Sequence, residues 1–261
     1  MSQFQFAALL SVVCVAALAV AGYRPYVDEH RGRVRQTIAA FLLIGILALV
    51  VFYPVTSFGK AEDIDPAEIW FPSLLIGHVV LTIFLFIWWR LRGDIPLATF
   101  LHLSPTQLWV KVQRGLKVGL YGWMLTLAIT GAAAGMAATT GRVAEPAEIP
   151  PVITWLAELP ITYKLIIIAV AMTVEEAFFR SFLQPRLGLV LSSILFACSH
   201  FSYGLPFMIV GVFTISLVIG VTFARSGDVL PCIIAHGVFD GIQLLVVLPI
   251  TVRLWGASPL A

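Results

Sequence analysis

The sequence predicts an all-α protein, a polytopic membrane bundle of about eight transmembrane helices. Hydrophobic residues make up 60% of the 261 residues and charged residues only 11%, and the mean hydropathy is +0.98. Apolar runs long enough to cross a bilayer recur along the whole chain, which argues against a soluble domain with a single anchor. The net charge of +2 is too small to indicate a nucleic-acid partner.

The N-terminal half, residues 1–150, is predicted to contain about four of these spans. They are expected near residues 4–23, 37–58, 70–89 and 118–138. A cleaved signal peptide is the alternative for the first run, but the arginines that follow it favour a retained helix with its N-terminus outside. Residues 91–117 are amphipathic, with Lys111, Arg114 and Lys117 among apolar side chains. We expect a solvated connecting helix at the cytoplasmic surface there.

The C-terminal unit, residues 151–250, is predicted to be a compact group of four helices. An external loop with one glycine, three prolines and two acids, residues 139–151, separates it from the N-terminal half. The four spans are expected near residues 161–183, 189–205, 206–224 and 229–248. With an external N-terminus, this topology places most lysines and arginines in the cytoplasm, as the positive-inside rule requires. We therefore expect a multi-pass protein of the plasma or inner membrane.

Two adjacent carboxylates and an arginine lie inside the apolar run 161–183. Ionisable groups at membrane depth are functional candidates because they are costly to keep there. Glu176 and Arg180 are one helical turn apart on one face, so we interpret them as a structural ion pair. Glu175 points in another direction and is expected to lack a local partner. A buried carboxylate of that kind suits general acid or base chemistry.

Three further ionisable residues, His200, His236 and Asp240, occur in the later helices of the C-terminal unit. At ~1.5 Å per residue, Glu175 and His200 lie about 16 Å from the cytoplasmic end of their helices and His236 about 12 Å. Asp240 is one turn from His236 on the same face. We therefore expect one shared catalytic site that opens toward the cytoplasm. A lone histidine in the third span, His78, is instead interpreted as an ordinary interhelical hydrogen-bond donor.

The spacing of these residues resembles a known family. Glu175 and Glu176 followed by Arg180, then Phe196 and His200, then His236 and Asp240 are similar to the three motifs of the CAAX prenyl protease 2 family, also called the CPBP or Abi intramembrane proteases. The resemblance covers about residues 161–248. It implies an endopeptidase site buried in a helical bundle, which in prenyl-protein members removes the last three residues after a lipidated cysteine.

The resemblance and the residue types together suggest a mechanism. Glu175, assisted by His200, would polarise a water molecule, while His236 with Asp240 would stabilise the oxyanion or protonate the leaving group. Asp240 departs from the asparagine common in eukaryotic members, and a carboxyl group can donate a hydrogen bond only when protonated. We favour a reaction without a cofactor. The alternative is a zinc site made by Glu175, His200 and His236, although no HExxH motif is present.

The expected partners are the lipid bilayer and a lipidated or membrane-spanning peptide or protein substrate. Two other classes of function remain open at this point. The polar cluster would lock the helices together in a non-catalytic scaffold or a bacteriocin self-immunity factor. In a transporter, the polar cluster would instead carry protons. The sequence has no buried acid outside the fifth and eighth spans, which counts against that class.

Overall fold

The structure, a computed structural model, describes residues 29–56, 69–93, 95–140, 151–201 and 206–256. The regular elements in these ranges are all helical, as the sequence predicts. The first predicted span, at residues 4–23, lies outside the described residues, and so does most of the stretch that separates the two predicted halves.

The helices are numbered here in chain order. They are α1 (Arg33–Thr56), α2 (Ile76–Arg92), α3 (Leu97–Phe100), α4 (Leu108–Thr139), α5 (Pro151–Glu158), α6 (Ile161–Glu176), α7 (Gln184–Cys198), α8 (Pro206–Ser226), α9 (Leu230–Ile242) and α10 (Leu248–Gly256). A 3₁₀ turn, Phe71–Leu75, precedes α2. Two π-helical segments, Ala177–Leu183 and Gln243–Val247, join α6 to α7 and α9 to α10.

Within the described residues, five helical segments are long and apolar enough to cross a membrane. They are Arg33–Val51, Phe71–Arg92, Leu108–Thr139, Met208–Ser226 and Leu230–Leu254. Each coincides with a predicted span. The segments Pro151–Glu158 and Ile161–Cys198, bent by 108° relative to each other, give a sixth if they count as one span. Several apolar helices of this kind identify an integral, multi-pass membrane protein.

The segment Ile161–Cys198 contains a chain reversal at Gly188. This residue has φ 79° and ψ 171°, a conformation outside the helical region that side chains disfavour. The rings of Phe179 and Phe196 lie 4.9 Å apart, although a straight helix would separate them by about 26 Å. The chain therefore folds back on itself, and the part of α7 after Gly188 runs beside the π-helical segment, in line with two separate predicted helices.

Helix α4 is longer than the sequence analysis predicts. The expected connecting helix over residues 91–117 is not a single element, because residues 108–117 already form the first turns of α4. Among the preceding residues that the structure describes, 91 and 92 end α2 and Leu97–Phe100 form α3. A row of buried glycines explains why the helix continues without interruption: a Cβ atom on Gly115 would lie 2.6 Å from Ile234, and one on Gly119 would lie 2.7 Å from the carbonyl oxygen of Ala235. Close packing against α9 thus supports the first turns of α4.

A polar contact fixes the beginning of α9. Lys111 Nζ lies 2.6 Å from Asp228 Oδ2, and both side chains are mostly buried. Asp228 also accepts hydrogen bonds from the backbone N–H groups of Ser104 and Leu230. Its carboxylate therefore caps the first turn of α9 and ties it to the start of α4. This matters for the site, since α9 carries two of the predicted site residues.

Aromatic packing holds α2 against the π-helical segment. Phe84 lies 5.7 Å from Phe178 and 5.0 Å from Phe182, ring centre to ring centre. Trp88, one turn after Phe84, lies 4.9 Å from Phe182. Phe178 and Phe179 are fully buried in this core, so both are packing residues. The core joins the N-terminal helices firmly to the segment that directly follows the two glutamates.

Candidate active site

Glu175 and Glu176, the last two residues of α6, lie in different surroundings. The side chain of Glu176 is fully buried, whereas that of Glu175 is 13% exposed. Neighbouring positions on a helix are rotated by about 100°, so the two carboxylates cannot serve the same neighbours. Each therefore has its own set of partners and its own chemical role.

Glu176 accepts hydrogen bonds from two cationic or potentially cationic side chains. Arg180 Nε donates to Oε2 at 3.0 Å, and His236 Nδ1 donates to Oε1 at 2.9 Å. The arginine also donates through Nη2 to Ser216 Oγ at 2.9 Å. The predicted pair of Glu176 and Arg180 is thus present, and the contact with His236 adds a link between α6 and α9. Such pairing with further hydrogen bonds is what makes a buried charge tolerable.

Glu175 has a partner that the sequence analysis missed. His78 Nε2 lies 3.0 Å from Glu175 Oε1. The carboxylate has no partner among its own neighbours in the sequence, as expected, but it is not unpaired, because a residue of another helix supplies one. His78 does form an interhelical hydrogen bond, as predicted, but its acceptor is the candidate general base. The two residues are 97 positions apart, and only the packing of α2 against α6 brings them together, so no local sequence signal reveals the contact.

His200 faces the second oxygen of Glu175. Its Nε2 lies 4.0 Å from Glu175 Oε2. Its Nδ1 lies 2.8 Å from the carbonyl oxygen of Phe196, and because a carbonyl only accepts, Nδ1 must carry the proton of this hydrogen bond. Glu175 Oε2 is buried and has no direct hydrogen-bond partner among the described residues. In the neutral imidazole, Nε2 is therefore an acceptor directed at the same space as Oε2.

His236 and Asp240 form the other side of the site. His236 Nε2 lies 3.3 Å from Asp240 Oδ2, one helical turn along α9. The ring of Phe196 lies 4.8 Å from His200 and 5.8 Å from His236, so it packs against both histidines. Asp240 is 21% exposed, whereas His236 is 7% exposed. The reachable polar atoms of this side are therefore the Asp240 carboxylate and the edge of His236 that bears Nε2.

The alternative zinc site is not formed by these residues. Both ring nitrogens of His236 contact carboxylates, at 2.9 Å and 3.3 Å. No group of three His, Cys, Asp or Glu side chains in the described part of the chain is placed to hold a metal ion. The set of Glu175, His200 and His236 therefore does not fit a metal in this arrangement.

Comparison with known families bears on the region just described. A family model described as Type II CAAX prenyl endopeptidase Rce1-like matches residues 157–242, about a third of the chain. Residues 157–242 form an Rce1-like segment. The resemblance predicted from the three motifs is confirmed here, since all of the motif residues lie inside the Rce1-like segment. His78 lies outside it. Neither the curated proteins nor the solved structures that were searched gave a match to the chain.

Proposed function

We propose that the protein is an intramembrane endopeptidase that hydrolyses a peptide bond of a membrane-associated substrate, of which a prenylated CAAX-type protein is the first candidate. The observation that carries the proposal is the approach of Glu175 Oε2 and His200 Nε2 to 4.0 Å within the Rce1-like segment. The two sides of the site have different roles in this proposal: Glu175 and His200 act on the water, and His236 and Asp240 act on the substrate.

In the proposed reaction, Glu175 and His200 activate the nucleophile. A water molecule between the two acceptors donates one hydrogen bond to each, and the separation of 4.0 Å is compatible with such a bridge. Glu175 Oε2 takes a proton as the water oxygen attacks the scissile carbonyl carbon. The carbon–oxygen bond forms, and the carbonyl π electrons move to the oxygen to give a tetrahedral oxyanion.

His236 and Asp240 act on the oxyanion. His236 acts here as an imidazolium between two carboxylates: Nδ1–H is committed to Glu176, and Nε2–H is the second donor, on the side of Asp240. Asp240 adds a second donor when it is protonated. The intermediate then breaks the carbon–nitrogen bond as the amide nitrogen receives the proton that Glu175 took from water. Glu176 and Arg180 hold the helix that presents these groups and do not touch the substrate.

Purified protein in detergent provides the test. The substrates are a prenylated CAAX peptide, the same peptide without its lipid, and a library of membrane peptides. Glu175→Gln is expected to lower cleavage by about 10²- to 10⁴-fold, since it removes the general base. Glu158→Gln, at an exposed position at the end of α5, is the matched control and should cleave like the wild type.

The same assay separates this proposal from its rivals. Cleavage that persists with a chelator supports a metal-free site, and loss with chelator in the wild type would move the chemistry to a metal. Full activity of Glu175→Gln would show that the assignment of the base is wrong. A well-folded wild type that cleaves none of these substrates would favour a non-catalytic scaffold or an immunity factor over the peptidase.

A further inference from the structure

The two oxygens of Glu175 are held unequally. Oε1 is 3.0 Å from His78 Nε2, within hydrogen-bond distance. Oε2 is 4.0 Å from His200 Nε2 and has no direct partner among the described residues. A carboxylate is symmetric in the absence of neighbours, so its surroundings alone decide which oxygen faces the reacting water. In this site, His78 of α2 is the neighbour that holds Oε1.

The position of His78 is itself well fixed. Two turns further along α2, Phe84 and Trp88 pack against Phe178 and Phe182 of the π-helical segment. That segment begins immediately after Glu176. The helix carrying His78 and the helix end carrying Glu175 are therefore joined by a buried aromatic core. His78 is also mostly buried, with 18% of its side chain exposed, so its ring has little freedom to leave the carboxylate.

We propose that His78 is a positioning residue of the peptidase, which holds Oε1 of Glu175 so that Oε2 stays directed at His200 and the attacking water. This inference rests on the proposed function. The neutral Nε2–H form of the ring is sufficient for it, because the only requirement is one donor to Oε1. It extends the machinery beyond the Rce1-like segment, whose match begins at residue 157. The N-terminal helices thus contribute directly to the site.

Two substitutions of His78 separate positioning from packing. His78→Ala removes the donor, whereas His78→Gln restores an N–H donor near the place of Nε2. We expect His78→Ala to lower kcat by about 10- to 100-fold with KM changed by less than about 3-fold, because a misplaced base slows the chemical step more than it weakens substrate binding. His78→Gln should recover kcat to within about 5-fold of the wild type.

The controls address folding. Ser73→Ala, at an exposed position in the turn before α2, should leave kcat unchanged. Rates are expressed per folded molecule, with the folded fraction taken from size-exclusion profiles and thermal unfolding. A residue that only supports packing would change the folded fraction and leave kcat per folded molecule at the wild-type value, which would overturn the proposal. Equal loss of kcat in folded His78→Ala and His78→Gln would also overturn it.

A double-mutant cycle distinguishes this inference from the proposed function. If Glu175→Gln abolishes cleavage but His78→Ala does not affect kcat, the peptidase assignment stands and the positioning role is wrong. If the wild type cleaves nothing, both are wrong. If both hold, the effect of His78→Ala on the residual rate should be much smaller in the Glu175→Gln background, since the group it positions is gone.

Discussion

His236 Nδ1 donates a 2.9 Å hydrogen bond to Glu176 Oε1, and this contact joins α6 to α9 at a point from which solvent is excluded. The same carboxylate accepts from Arg180 Nε at 3.0 Å. One negative charge thus compensates an arginine and orients a histidine. Because Nδ1 is engaged here, the histidine can offer only Nε2 to a substrate.

Replacing Glu176 with glutamine is expected to destabilise the protein strongly. The amide keeps the shape of the side chain but removes the charge that compensates Arg180, and breaking a buried pair in this way costs about 3–5 kcal/mol. Unfolding of the purified protein in detergent measures the loss. Glu158→Gln, which changes an exposed glutamate, should unfold like the wild type. An unchanged unfolding free energy for Glu176→Gln would contradict the interpretation of the buried pair.

Asp240→Asn tests how the carboxyl group serves the reaction. The amide can accept from His236 Nε2 through its oxygen and donate to an oxyanion through its nitrogen. We therefore expect Asp240→Asn to keep cleavage within about 10-fold of the wild type, and Asp240→Leu, which can do neither, to lose about 10²- to 10³-fold. Initial rates with the best substrate measure both. Similar rates for the two variants would remove Asp240 from the proposed mechanism.

Gly119→Ala should weaken the packing between α4 and α9. A Cβ atom at this position would lie 2.7 Å from the carbonyl oxygen of Ala235 and 2.7 Å from Val238 Cβ, and neither can move without shifting α9. Overpacking of this kind costs about 1–3 kcal/mol. A Cβ atom on Gly131, in the same helix, would lie in open space. Gly131→Ala is thus the matched control and should be neutral or stabilising by up to about 1 kcal/mol in thermal unfolding.

The buried histidine before α1 predicts a loss of stability in acid. His30 is 1% exposed and its ring lies 4.9 Å from that of Trp88. Burial lowers the pKa of His30 below its ordinary value of 6.5, and Arg92 and Arg186 contribute in the same direction. The unfolded chain therefore binds a proton near pH 6.5 that the folded protein rejects. Stability is full above that pH and falls as the pH drops below it.

His30→Phe should reduce this pH dependence, because phenylalanine can pack against Trp88 but cannot be protonated. The measurement is the unfolding temperature of both proteins at pH 8 and at pH 5.5. Burial also lowers the pKa of His102, with help from Arg186 and Arg92, so part of the dependence should remain in the variant. The same drop in both proteins would show that His30 does not contribute.

Local periodicity is what made part of this site predictable. Glu176 with Arg180, and His236 with Asp240, are each four residues apart, and a helix places such residues on one face whatever surrounds it. The spans themselves follow from apolar runs whose length matches the bilayer. Two contacts were not revealed by the sequence. His78 and Glu175 are 97 residues apart, and His236 and Glu176 are 60 residues apart. Those depend on how whole helices pack.

The bounds of helix α4 also depend on packing that the sequence does not reveal. Charged residues at 111, 114 and 117 indicate a surface segment, and the exposed side chains of Arg114 and Lys117 agree with that. The sequence pattern places a boundary between this surface segment and the span near residue 118, but the helix is continuous there, and its buried glycines are required by the neighbouring helix. Close approach to α9 at Gly115 and Gly119 is a property of two helices together.

Because the chain reverses direction at Gly188, the number of residues between the motifs determines whether their side chains meet in the site. Glu175 and His200 lie on opposite sides of this reversal, and the α-helical residues that follow Gly188 turn by about 100° and advance ~1.5 Å each. Inserting one residue between Gly188 and His200 would rotate the imidazole away from the carboxylate while leaving composition and hydrophobicity almost unchanged. The two segments that meet at Gly188 must therefore keep a fixed register, and the number of residues between the motifs is as much a determinant of the site as the residues themselves.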